Sequence, residues 1–161
     1  MNLQGKIAIV GPGASGKDLF RKRMQDKGFK FGVSCTTRPP RTGEVHGKDY
    51  YYLSEAEFQS AIDNDELVEY QEFNGWHYGL FKTEFEICDV MILNAEAVEL
   101  LDKSYRDRLF VIYFDIPEDI RLQRLIDRND FKYEPERRIA EDRKQFRNFS
   151  DFDCKITNPN F

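Results

Sequence analysis

Residues 6–17 read Lys-Ile-Ala-Ile-Val-Gly-Pro-Gly-Ala-Ser-Gly-Lys. Lys6 to Val10 is a short apolar run with β-branched residues, the pattern of a buried strand. A glycine-rich turn follows, and Lys17 to Lys27 reads as a helix that stops at Gly28. Gly11, Pro12, Gly13, Ala14, Ser15, Gly16 and Lys17 fit G-x-x-x-x-G-K, placed between strand and helix. That context predicts a phosphate cradle: glycines let backbone N–H groups turn inward, the helix N-terminus adds positive potential, and Lys17 reaches the β- and γ-phosphates of a nucleoside triphosphate. The alternative is a plain glycine turn with a chance lysine. Asp18 stands where the motif carries Ser or Thr, and as a carboxylate it is the candidate magnesium ligand.

Outward from this stretch, Phe29 to Ser34 is a strand candidate and Thr36 to Lys48 a loop crowded with Arg, Pro and Gly. Tyr50 to Leu53 reads as a strand. Ser54 with Glu57 is a capping box that opens a helix to about Ile62. Asn74-Gly75 predicts a hairpin turn between Leu67–Phe73 and Trp76–Tyr78. Val90–Leu93 and Leu109–Phe114 have parallel-strand character, with a helix over Glu96–Lys103 between them. Helices follow from Pro117 to about Arg128 and from Pro135 to about Phe149, and Cys154–Thr157 forms a last strand. Strands alternating with helices define an α/β sheet, interrupted by a mixed insert at roughly 34–84.

The composition narrows the function classes. With 161 residues, 40% hydrophobic and 33% charged, the chain predicts one globular domain. A net charge of −5 argues against a general nucleic-acid binder, although a few placed arginines can still hold phosphates. No apolar run is long enough for a membrane span and no leader is legible, so a soluble, cytoplasmic protein is expected. Cys35, Cys88 and Cys154 are far apart, and with only His46 and His77 the usual zinc spacings are absent. Both histidines read as structural or rim residues.

The segment 34–50, Ser-Cys-Thr-Thr-Arg-Pro-Pro-Arg-Thr-Gly-Glu-Val-His-Gly-Lys-Asp-Tyr, is followed by Glu69 and by Gly75-Trp-His-Tyr-Gly79. Together with the glycine loop, in this order and spacing, it resembles the guanylate kinase family. The resemblance implies a P-loop nucleotide kinase with a parallel core sheet (1–33 and 85–161), a mixed α/β insert for the nucleoside monophosphate (about 34–84) and a short lid (about 125–138). It implies transfer of phosphate from ATP, with Mg2+, to GMP or dGMP. Arg38 and Arg41 suit one dianionic phosphate by their own chemistry, and Tyr50 and Tyr78 match the family's phosphate-binding hydroxyls. Ionised Glu69 only accepts hydrogen bonds, whereas guanine offers N1–H and its 2-amino group side by side. By family position Ser34 serves guanine O6, Glu96 lies in the acceptor site and Asn158 lies near adenine.

Arg124 and Arg128, four apart on one helical face, resemble the family's R-x-x-x-R lid pair, and Arg138 matches a later helix arginine. With Lys17 and Arg38 they form the expected catalytic set, because phosphoryl transfer depends on positioned positive charge. The lid itself would be Asn129–Glu134. Three positions depart from the family: Leu80-Phe81 replaces two hydroxyl residues, removing a hydroxyl from the base pocket; Asn94-Ala-Glu96 replaces Asp-x-Asp; and Asp18 replaces the loop hydroxyl. They leave two other readings open, a non-catalytic binding module and a kinase for another nucleoside monophosphate.

Overall fold

The computed structural model describes residues 5–128 and 135–161. Strands β1 (Lys6–Val10), β6 (Val90–Ile92), β7 (Leu109–Phe114) and β8 (Cys154–Ile156) form a parallel sheet in the order β6-β1-β7-β8. A second, mixed sheet has the order β3-β2-β5-β4, from β2 (Cys35–Thr36), β3 (Tyr51–Tyr52), β4 (Leu67–Phe73) and β5 (Trp76–Phe81). The apolar runs do what burial on two faces requires: Ala8, Ile9, Val10, Val90, Val111 and Phe114 are fully buried. Their two faces feed separate clusters, one around Val10, Leu80, Phe85 and Met91, the other around Ile9, Val90, Phe114 and Ile116.

Local signals placed several elements. Ser54 caps α2 (Glu55–Asp63), its hydroxyl accepting from Glu57 N–H while the Glu57 carboxylate accepts from Ser54 N–H. Asn74 and Gly75 take φ of 53° and 77°, the positive pair of a tight hairpin turn between β4 and β5.

Three expectations are corrected, and one helix is added. Phe29–Ser34 is not a core strand. Backbone bonds join it to the edge of β6 only around Phe31, with Gly32 N–H on Val90 O at 2.9 Å and Val90 N–H on Lys30 O at 3.1 Å. On either side Asp89 Oδ2 takes the Lys30 N–H at 2.8 Å and Glu84 Oε2 the Val33 N–H at 3.0 Å, which ends the ladder. Glu84 sits on α3 (Lys82–Ile87), a helix the sequence pattern did not show. The single helix expected over Glu96–Lys103 is two: α4 (Ala95–Leu100) and α5 (Lys103–Arg106). Asp102 causes the break, because its carboxylate accepts from Ser104 N–H and starts a new helix. Finally, α7 (Pro135–Phe146) stops short of Phe149, whose ring packs edge-on to Tyr113 in the core at 5.3 Å between centroids.

The two remaining helices, α1 (Lys17–Asp26) and α6 (Glu118–Asp127), start at the C-terminal ends of β1 and β7. That edge of a parallel sheet, with helix N-termini pointing into a crevice, is where open α/β folds bind ligands. No helix among the described residues is long and apolar enough to cross a membrane.

Candidate active site

A cleft of about 970 Å3 opens between the glycine loop after β1 and the second sheet. Its glycine-loop wall holds Gly11, Gly13, Ala14, Ser15, Gly16, Lys17 and Asp18, its opposite wall Ser34, Arg38, Arg41, Tyr50, Glu69 and Tyr78, and Arg128 and Arg138 stand over it from α6 and α7. Most of the candidates, dispersed over a hundred residues of sequence, share this one cavity. Four do not line it: Pro12, Arg124, Glu96 and Asn158. Glu96 is exposed on α4, and Asn158 is exposed with its Oδ1 accepting from Asn160 N–H, a turn contact. The expected lid, Asn129–Glu134, lies outside the described residues.

The glycine loop is wound by its own geometry. Ala14 and Gly16 have φ of 58° and 98°, and at Gly16 that left-handed conformation favours glycine. Lys17 Nζ donates to Gly11 O at 2.5 Å and Pro12 O at 2.8 Å, and Ser15 Oγ lies 3.5 Å away. Burial of the ammonium pushes its pKa down to about 8, against the opposing pull of Asp18 and Asp142. Arg138 hangs directly over the loop: a Cβ on Gly13 would come within 2.7 Å of its Nε. Arg124 Nη1 donates to Ala14 O at 3.0 Å and its Nη2 to Pro159 O at 2.9 Å, so this arginine braces the loop from behind.

Across the cleft, Arg38 is buried, its guanidinium held by Glu44 at 3.0 Å and by Pro39 O at 2.8 Å, 5.4 Å from the Tyr50 ring centroid. Glu44 organises this corner: it accepts also from Arg41 N–H at 2.7 Å and Tyr52 O–H at 2.8 Å. Burial raises the pKa of the Tyr50 hydroxyl, which keeps it a neutral donor. Deeper on β4, Glu69 Oε2 is buried without a hydrogen-bond partner, and desolvation pushes the carboxyl up to about 8. An unpartnered buried carboxyl facing a cavity is a docking point for a ligand's N–H groups.

Of the sequence departures, Asp18 and Asn94 line the cleft and Leu80 does not. Leu80 is fully buried in the core cluster and does not line the cleft, so its apolar side chain serves packing. Asn94 does line the cleft, and it is committed at both ends of its amide: Oδ1 caps α4 by accepting from Ala97 N–H, and Nδ2 donates to Gln71 Oε1. Gln71, like Glu44, Arg121 and Asp142, carries a role in this region that sequence reasoning did not assign. Glu44 lay within the quoted motif, so its proximity to Arg38 and Arg41 was the available signal. For Asp142 nothing in the sequence distinguished it from the solvated charges around it.

A parallel α/β sheet with a glycine loop and helix at the end of its first strand defines the class as the P-loop kinase fold. The fold of a guanylate kinase from Anaplasma phagocytophilum matches it with a TM-score of 0.69 at 21% identity, over 96% of this chain and 76% of that one. The guanylate kinase family profile matches residues 4–161. A guanylate kinase of Lactobacillus johnsonii is 34% identical over 96% of this chain and 81% of its own length. One from Gloeobacter violaceus is 31% identical over 94% and 78%. The chain belongs to the guanylate kinase family.

Proposed function

We propose that this protein transfers the terminal phosphoryl group of ATP to GMP or dGMP. The relatives named guanylate kinase support the reaction class. The observation that carries the acceptor is the buried, unpartnered Oε2 of Glu69 on the wall facing the glycine loop. Guanine presents two adjacent N–H donors to it. Adenine presents an acceptor at N1 and no donor at C2, so it cannot supply the pair of N–H groups that Glu69 takes when it ionises to receive guanine, a mismatch that a built hydrogen-bonding site rejects strongly.

In this reading the acceptor lies with its base at Glu69 and Ser34 and its phosphate against Arg38, Arg41, Tyr50 and Tyr78. The ATP phosphates take the N–H groups of residues 14–18 around the start of α1, where Lys17 exchanges the Gly11 and Pro12 carbonyls for phosphate oxygens. Arg128 and Arg138 face the transferring group. The work of the site is positioning and charge: cations on three sides stabilise negative charge spread over the equatorial oxygens of the migrating group.

Magnesium fits the donor set. Among the described residues there is no cluster of three or more His, Cys, Asp or Glu side chains able to cage a metal. Magnesium at nucleotide sites needs no cage, because it takes one or two carboxylates and completes its shell with phosphate oxygens and water. Asp18, exposed beside Lys17 on the cleft wall, is the carboxylate placed to hold it. When bound, the ion neutralises phosphate charge. Asp18→Ala should therefore raise the magnesium concentration needed for half-maximal turnover by about tenfold, the value of one charged ligand contact; an unchanged magnesium titration removes Asp18 from the metal shell.

The reaction is tested by coupled ADP release with ATP and magnesium against GMP, dGMP, AMP, CMP, UMP and dTMP. Turnover confined to the two guanine nucleotides supports the reading. Turnover with another base moves the specificity away from Glu69, and none with any acceptor from folded protein leaves a binding module.

A further inference from the structure

Charged groups are seldom fully buried, and among the described residues the two most deeply buried that pair with each other lie against the glycine loop, Asp142 at the edge of the cleft. Arg121 on α6 and Asp142 on α7 are 4% and 6% exposed, and Arg121 Nη1 meets Asp142 Oδ2 at 3.0 Å. Both reach the same residue. Gly13 N–H donates to Asp142 Oδ2 at 3.0 Å, and Arg121 Nη1 approaches Gly13 O at 3.4 Å, while Arg121 Nε is anchored on Ile116 O at 3.1 Å. The pair thus takes Gly13 by its N–H and its C=O. Asp142 lies one helical turn beyond Arg138, whose guanidinium hangs over the same glycine. Arg121 lies just short of a turn before Arg124, which holds the next carbonyl, Ala14 O.

We propose that Arg121 and Asp142 are positioning residues, a buried clamp that fixes α6 and α7 on the glycine loop and so sets Arg138 over the ATP phosphates. Stability alone is a poor reason for the pair. Two desolvated charges gain little over apolar side chains of similar volume, and a lone survivor is strongly destabilising. What charge provides here, and an apolar pair could not, is a grip on a backbone N–H and a backbone C=O of the phosphate-binding loop. The clamp also fixes the register of α7, because a slip of one residue would carry Asp142 and Arg138 away from Gly13 together.

The inference rests on the kinase reading, and its test separates the two. The full-length chain is compared with Asp142→Ala, with the double variant Arg121→Leu/Asp142→Ala, and with Arg143→Ala. The last breaks an exposed ion pair to Glu118 that joins the same two helices away from the loop. Melting temperature, the thermal shift given by ATP with magnesium, and KM for each substrate are measured. Asp142→Ala should lower the melting temperature, lower kcat and raise KM for ATP about tenfold, with KM for GMP unchanged. The double variant should recover the melting temperature, having no unpaired buried charge, yet keep the raised KM for ATP and a reduced ATP-induced shift. Arg143→Ala should match the unsubstituted chain in all kinetic constants.

A double variant with the original KM for ATP and the original thermal shift makes the pair merely structural and overturns the proposal. So does a parallel rise in KM for GMP, or an equal effect from Arg143→Ala. If the unsubstituted chain binds ATP but turns over no acceptor, the kinase reading fails while the thermal shift still decides the clamp. If ATP gives no shift at all, both fall.

Discussion

Replacing Lys17 by Met should lower kcat/KM for ATP by about 10³-fold while leaving the fold intact. The loss is that of a buried, preorganised cation at the β- and γ-phosphates, a contribution worth two to three powers of ten when a comparable charge-stabilising donor is removed from other enzymes. Stability moves the other way. The Lys17 ammonium is held inside the loop on Gly11 O and Pro12 O, and burial lowers its pKa from 10.5 to about 8. Between those values the unfolded chain binds a proton that the folded chain has lost, so the lysine's burden on stability is full below pH 8 and fades as pH rises toward 10.5. Methionine carries no such burden and fills a similar volume, so the variant should melt higher at pH 7. Free of nucleotide, the lysine also loses its charge above pH 8, and KM for ATP should climb there in the original chain and not in the variant. A drop in kcat/KM of less than about tenfold would show that Lys17 only fastens the loop.

The second large effect belongs to Glu69. Glu69→Gln should reduce kcat/KM for GMP by about 10³-fold, the loss of two hydrogen bonds to a charged acceptor. Its pH dependence is as specific as its size. Burial holds the free carboxyl at about 8, so at pH 7 it is mostly protonated and must ionise to receive guanine. GMP affinity should therefore rise by about tenfold per pH unit up to about pH 8 and then level, with close to one proton released per GMP bound at pH 7. Calorimetry in buffers of different ionisation enthalpy reads that proton directly. In the folded chain alone, a carboxyl raised from 4.5 to about 8 contributes its full stability below 4.5 and loses it as pH rises through 8. The Gln variant escapes that loss and should melt higher at pH 8.5. Identical GMP pH profiles for the two proteins would mean that Glu69 does not meet the base.

How much of this was legible in the chain depends on the range of the interactions involved. The strand, glycine turn and helix of residues 6–27, the Ser54–Glu57 cap and the Asn74-Gly75 hairpin are decided by residues within a few positions of one another, and the sequence determined them. Arg38, Arg41, Arg128, Arg138, Glu69 and Tyr78 were legible as a set through their resemblance to a family, and the folded chain brings them to one cleft, with Arg124 left outside it on Ala14 O.

Tertiary structure alone decided the rest, wherever a partner came from far along the chain. Phe29–Ser34 has the composition of a strand, but it pairs only around Phe31, because Asp89 and Glu84, more than fifty residues away, take the Lys30 and Val33 N–H groups. Leu80 read as a change in the base pocket, yet it faces the core, because which side of β5 is buried depends on the helices packed beneath it. Asp142 stands on a helix crowded with charges, and no pattern marks it as the one that is buried. Its meaning comes from a glycine 129 positions earlier, whose N–H it accepts. A side chain's type can be read in isolation; its desolvation and its partner are properties of the packed molecule.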